Sequence, residues 1–183
     1  MKIIVGITGA SGSIYGISTM RLLSHMGIET HVVVTEAGEK VMDYECKITR
    51  SYMEKYCTWH NNNDLFSPIA SGTYKCDAMV IVPCSMNTLG SIANGCGNSL
   101  LNRAAGVMLK EKRKLIIVPR ETPLSTIHLQ NMLRLSQAGA HILPASPGFY
   151  HMPKDLSDIV NFMVTKIMDL LEINCNLIDR WGE

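Results

Sequence analysis

Charge is scarce in this chain. Only 18% of its 183 residues are Asp, Glu, Lys or Arg, against about 25% in an ordinary soluble domain. A chain so short of charge buries an unusual share of its surface, within one fold or against further copies. Seventeen basic and sixteen acidic residues leave a net charge of +1. No global field therefore draws nucleic acid or an anionic membrane. No apolar run approaches the roughly 18 residues of a membrane-spanning helix. The six cysteines include no CxxC pair, so neither a zinc site nor a disulfide framework is expected. Glycines at 9, 12 and 16 do not spell GxGxxG. Nor is the chain disordered in character, because 46% of it is hydrophobic. Met1-Lys2-Ile3-Ile4-Val5-Gly6 reads as a strand rather than a signal segment. Twelve methionines and unpaired cysteines fit a reducing, cytoplasmic setting.

What is present alternates. Apolar runs at 2–8, 29–34, 78–83, 114–119 and 140–143 read as strands. Helical spacing marks 13–26, about 36–43, 86–95, 98–110, 125–137 and 155–172. Near-continuous apolar strands separated by helices predict a parallel sheet covered on both faces. The expected class is α/β, a Rossmann/flavodoxin-like three-layer fold with an open parallel sheet, spanning 1–183 as one domain. Residues 56–76, with Asn61-Asn62-Asn63-Asp64 at their centre, read as a long loop of the kind that often carries function.

In such a sheet, ligands bind beyond the carboxyl ends of the strands, where the strand order reverses. Four segments fall there: Gly9–Gly12, Thr35–Glu36, Cys84–Thr88 and Arg120–Ser125. Thr8-Gly9-Ala10-Ser11-Gly12 joins a strand to a helix, and its small residues admit an anion to backbone N–H groups at a helix start. A plain tight turn would look the same. Ser85, Asn87 and Thr88 give three polar groups where an N-cap needs one. Cys84 has no His or Lys nearby in sequence and reads as packing, not as a nucleophile. Arg120-Glu121 lies between Pro119 and Pro123, in a stiffened loop. Arg103 and Lys110 share one helical face, which reads either as a site or as a solvated surface. Tyr150 and Lys154 form YxxxK, but Pro153 between them breaks the helix that a dehydrogenase would need.

Taken in order, these segments resemble one family. Thr8–Gly12, Pro83-Cys84-Ser85, Arg103-Ala104-Ala105, Pro119-Arg120-Glu121-Thr122-Pro123, Pro147-Gly148-Phe149-Tyr150 and Arg180-Trp181-Gly182 are similar to UbiX-type flavin prenyltransferases, once described as aromatic-acid carboxy-lyases. The resemblance implies a metal-independent transferase that joins a dimethylallyl group from dimethylallyl phosphate to N5 and C6 of reduced FMN. The product, prenylated FMN, would serve a UbiD-type decarboxylase. The same resemblance implies that Gly9, Ala10, Ser11, Thr35, Ser85, Met86, Asn87, Thr88 and Arg120 hold FMN. Arg103, Lys110, Tyr150 and Lys166 would hold the donor, and Ser11, Glu45 and Glu121 would serve catalysis. It further implies a dodecamer. Lys166 stands where many members carry Arg, Thr35 where serine is common, and Leu65 where some have Trp. FMN-dependent cysteine decarboxylases share the fold and a Ser-x-Asn-Thr turn, but their Pro-x-Met-Asn-x-x-Met-Trp segment is missing here.

Overall fold

The computed structural model describes residues 1–182. Six strands form one sheet, all parallel: β1 Lys2–Ile7, β2 Glu29–Val34, β3 Thr58–His60, β4 Ala78–Cys84, β5 Lys114–Pro119 and β6 His141–Ile142. The helices are α1 Ser13–His25, α2 Glu36–Cys46, α3 Arg50–Met53, α4 Met86–Ala93, α5 Leu100–Lys110, α6 Thr126–Gln137 and α7 Leu156–Leu170. The spatial order is β3-β2-β1-β4-β5-β6. Within the expected three-layer class, this is the Rossmann order rather than the 2-1-3-4-5 of flavodoxin. The winding direction reverses between β1 and β4, and the crevice outside their carboxyl ends is the switch point.

Alternation along each strand feeds two cores, because successive side chains point to opposite faces. Ile3, Val5, Ile7, Val32, Val80, Val82 and Val118 meet α1 and α7 on one face. Ile4, Val33, Met79, Ile81, Leu115 and Ile117 meet α4, α5 and α6 on the other. β4 is buried along its whole length. That double burial is why the strands read as unbroken apolar runs.

Most elements fall within two or three residues of their expected positions. The exception is the segment expected to be a loop over 56–76. It holds β3 and the 3-10 turn Pro68–Ala70, and α3 lies just ahead of it. Three residues, Thr58-Trp59-His60, carry too little periodicity to announce a strand. Pairing with β2, His31 opposite Thr58 and Val33 opposite His60, makes them one.

Gly16 sets how closely α1 lies on the sheet. A Cβ there would collide with the Val82 carbonyl and come within 2.9 Å of the Ile7 side chain. Gly16→Ala is therefore expected to cost about 1–3 kcal/mol, measured as a fall in the urea midpoint. An unchanged midpoint would show that α1 can shift freely.

Candidate active site

The switch point is tied together by a buried hydroxyl. Thr8, fully buried at the end of β1, donates from Oγ1 to the Pro83 carbonyl (2.8 Å) and accepts from the Ser85 amide (2.7 Å). This clamps the β1 and β4 ends and fixes where α4 begins. The following turn must lie close to α2: a Cβ on Gly9 would sit 2.7 Å from that of Ala37. Gly12 takes φ +102°, a conformation that L side chains rarely adopt.

The start of α1 has no side-chain cap of its own. Its orphan amides are satisfied from α2 instead. Gly12 N and Ser13 N donate to Glu45 Oε2 at 2.9 and 3.1 Å, and the Ser11 hydroxyl also bonds this carboxylate. Arg120, just past β5, donates from Nε to the Ser11 carbonyl at 3.1 Å. Ser11, Glu45 and Arg120, from three separate elements, thus form one cluster. Partial burial alone would raise the Glu45 pKa, but the Ser11 hydroxyl, the two amides and the Arg120 charge outweigh it. The net shift is downward. Beside it, the Ser13 Oγ is buried without a hydrogen-bond partner.

Two more helices start at this edge. Thr35 Oγ1 accepts from Gly38 N (3.0 Å) and caps α2. Ser85 Oγ accepts from Thr88 N (3.4 Å), donates to Thr88 Oγ1 (3.1 Å) and caps α4. Ala10 and Met86 are buried, whereas Asn87 is exposed. The N-termini of α1, α2 and α4 thus gather positive partial charge around a turn of small residues. An FMN phosphate fits this donor set. Next to it, Arg120, Glu121, Thr122, Leu124, Met132 and Pro144 line a cleft of about 310 Å³. Glu121 accepts from the Thr122 amide (3.0 Å) and is exposed. The ion pairs among the described residues do not join it to Arg120.

The four expected donor-binding residues do not meet within one protomer. Arg103 and Lys110 flank a groove of about 170 Å³ on α5, with Gly95, Cys96 and Gly97. Arg103 Nε donates to the Ala70 carbonyl (3.2 Å), and Lys110 pairs with Glu111 (2.9 Å). Lys166 lies on α7, 3.8 Å from Asp169, which Arg180 holds with two bonds. Tyr150 sits edge-on to Phe162 and Trp181. Because α5 and α7 cover opposite faces, the sheet stands between Arg103 and Lys166.

Cys84 is fully buried and its pKa is pushed far up by burial, which suits packing and not nucleophilic attack. Residues 151–155 are not helical, so Tyr150 and Lys154 do not form a dehydrogenase pair. Two residues escaped sequence reasoning. Thr8 lay inside a recognised motif, but its tie to Pro83 and Ser85 spans 75 residues or more. Asn62 caps α5 from afar: its carbonyl accepts from Leu100 N (2.8 Å) and its Oδ1 from Leu101 N (3.0 Å). Its only signal was an asparagine-rich tract.

The strand order and the anion-binding edge define a nucleotide-binding α/β protein, and the family model described as Flavoprotein matches residues 1–168. A flavin prenyltransferase UbiX of Alkalihalophilus pseudofirmus is 48% identical, over 98% of this chain and 95% of its own. A UbiX solved with FMN and dimethylallyl pyrophosphate superposes with a TM-score of 0.97 at 39% identity, covering 100% of this chain and 97% of that one. A dodecameric FMN-dependent UbiX-like decarboxylase from Escherichia coli O157:H7 also gives 0.97 at 39% identity, with both chains covered in full. The chain belongs to the UbiX family of flavin prenyltransferases. A PPC decarboxylase shares the fold alone, at 19% identity and a TM-score of 0.65 over 80% of this chain and 82% of its own.

The lowered Glu45 pKa has a sign. Its ionised form contributes stability above the ordinary carboxylate range, and that contribution is lost as pH falls through the folded-state pKa. Glu45→Gln is therefore expected to lower Tm at pH 7, with the gap to wild type closing below about pH 4. A thermal-melt series over pH checks this; a gap independent of pH would show that the charge plays no part.

Proposed function

We propose that this chain transfers a dimethylallyl group from dimethylallyl phosphate to N5 and C6 of reduced FMN, releasing prenylated FMN to a UbiD-type decarboxylase. The observation that carries this reading is the Ser11–Glu45–Arg120 cluster at the switch point, beside the starts of three helices, in a chain of the UbiX family. Gly9, Ala10, Ser11, Thr35, Ser85 to Thr88 and Arg120 would hold FMN, with Arg120 bridging toward the Ser11 turn. FMN supplies the two nucleophilic ring positions.

The residues then have separable tasks. Breaking the donor's carbon–oxygen bond leaves the electron pair on phosphate and an allylic cation behind. Arg103, Lys110 and Lys166 neutralise the departing anion, and the Tyr150 hydroxyl can donate to it. Lys166 does so as a point charge, without the fork of the arginine common at its position. Forming the C6 bond expels a proton, which the exposed Glu121 carboxylate is suited to accept. Ser11 is suited to pass a proton between Glu45 and the phosphate.

Division of the donor set by the sheet supports a site completed by neighbouring copies. Ile127, Leu129 and Leu133 of α6 are exposed large apolar residues that an assembly would cover, consistent with a dodecamer. Work in the cytoplasm fits the twelve methionines and unpaired cysteines; among the described residues, no helix is long and apolar enough to cross a membrane.

Anaerobic incubation with reduced FMN and dimethylallyl phosphate or diphosphate should add one C5 unit to the flavin by mass spectrometry. No mass gain with either donor would sink the proposal. Glu121→Gln should keep FMN bound but slow turnover by on the order of 100-fold. Lys166→Ala should raise the donor KM; an unaltered value would free Lys166 from its role.

A further inference from the structure

Away from the switch point, a chain of hydrogen bonds crosses from β2 to β3 and into the segment that follows. Buried His31 lies 3.1 Å from Glu29 Oε1 through Nε2, and 2.9 Å from His60 Nε2 through Nδ1. His60 Nδ1 lies 2.8 Å from the hydroxyl of buried Ser67. A carboxylate only accepts, so His31 Nε2 carries its proton toward Glu29. Neutral His31 then accepts at Nδ1 from His60 Nε2, and His60 accepts at Nδ1 from Ser67. Each ring nitrogen has a complementary partner.

The segment held this way carries two groups that set α5. Asn62 binds the amides of Leu100 and Leu101. Ala70, three residues past Ser67, accepts from Arg103 Nε. The segment's far end is fastened by Arg113, which donates to the carbonyls of Gly72 and Tyr74. We propose that His60, held between His31 and Ser67, is a positioning residue that fixes the start of α5 and the Arg103 side chain for the donor phosphate. This rests on the reading that Arg103 binds that phosphate.

The charged and titratable groups facing the pair are Glu29 from β2, Asp64 from the segment itself and Tyr74 ahead of β4, with Lys2 from β1 held against Glu29 and Tyr74. Burial, then the neighbouring His31, holds the His60 pKa below its usual value, with Asp64 opposing. The chain can absorb one proton: His60 donates from both nitrogens and Ser67 turns from donor to acceptor.

Steady-state kinetics and FMN binding in His60→Phe and His60→Gln test the proposal. His60→Phe should raise the donor KM on the order of tenfold at neutral pH, with kcat and FMN Kd nearly unchanged. His60→Gln keeps an N–H for His31 but takes no proton. It should restore KM to near the wild-type value. Hydrogen exchange gives a readout free of activity: the Leu100 and Leu101 amides should exchange faster in His60→Phe, and those of α1 should not. Unchanged KM, an equal loss in kcat and FMN binding, or unchanged exchange would each overturn the proposal. If wild type makes no prenylated flavin, the parent reading falls, while exchange still decides whether the clasp holds α5.

Discussion

A parallel sheet with both faces covered leaves only its ends open to ligands, and this constraint shapes the rest of the molecule. Two cores take nearly every strand side chain, so polar groups that need water or a ligand collect at the carboxyl edge. The edge is then organised by a few long-range bonds. Thr8 clamps the β1 and β4 ends. Glu45 reaches from α2 to satisfy the first amides of α1. Arg120 closes the group from β5. Each contact draws on orphan amides or carbonyls that strand and helix ends leave behind, so the cluster follows from the fold's own unsatisfied groups.

The same constraint divides the proposed donor-binding set. α5 and α7 must cover opposite faces, so Arg103 and Lys166 cannot meet across their own sheet. The low charge content gains a physical meaning here. Apolar residues left exposed on α6 and beyond are surface that further copies can cover, and under the proposed function copies would also bring the separated cations together. Two of the few charges, Glu45 and Arg120, are fixed at that edge by hydrogen bonds to the turn before α1.

Much of this was legible in advance. The five strands other than β3 declared themselves as near-continuous apolar runs and the six longer helices through helical spacing sustained over several turns. Gly9 to Gly12, Ser85 to Thr88 and Arg120 could be placed at the correct edge from strand ends alone. β3 and α3 could not, since three or four residues hold no period and β3 exists through its pairing with β2. Glu45 drew notice only by resemblance. Nothing local in Asp43-Tyr44-Glu45-Cys46 says that its carboxylate caps a helix more than thirty residues earlier.

By itself the sequence determined the α/β class, the placing of four polar loops at the carboxyl edge and a net charge of +1. These are properties of composition and short-range order, and they survive without knowledge of neighbours. Tertiary structure alone decided which winding the sheet takes, that Ser11, Glu45 and Arg120 meet, that His60 bridges His31 to Ser67, and that Arg103 and Lys166 do not share a face. Apart from the bond between His60 and Ser67, seven positions apart, the bonds that make them join residues from about 30 to more than 100 positions apart, which only the closed fold brings within hydrogen-bonding distance.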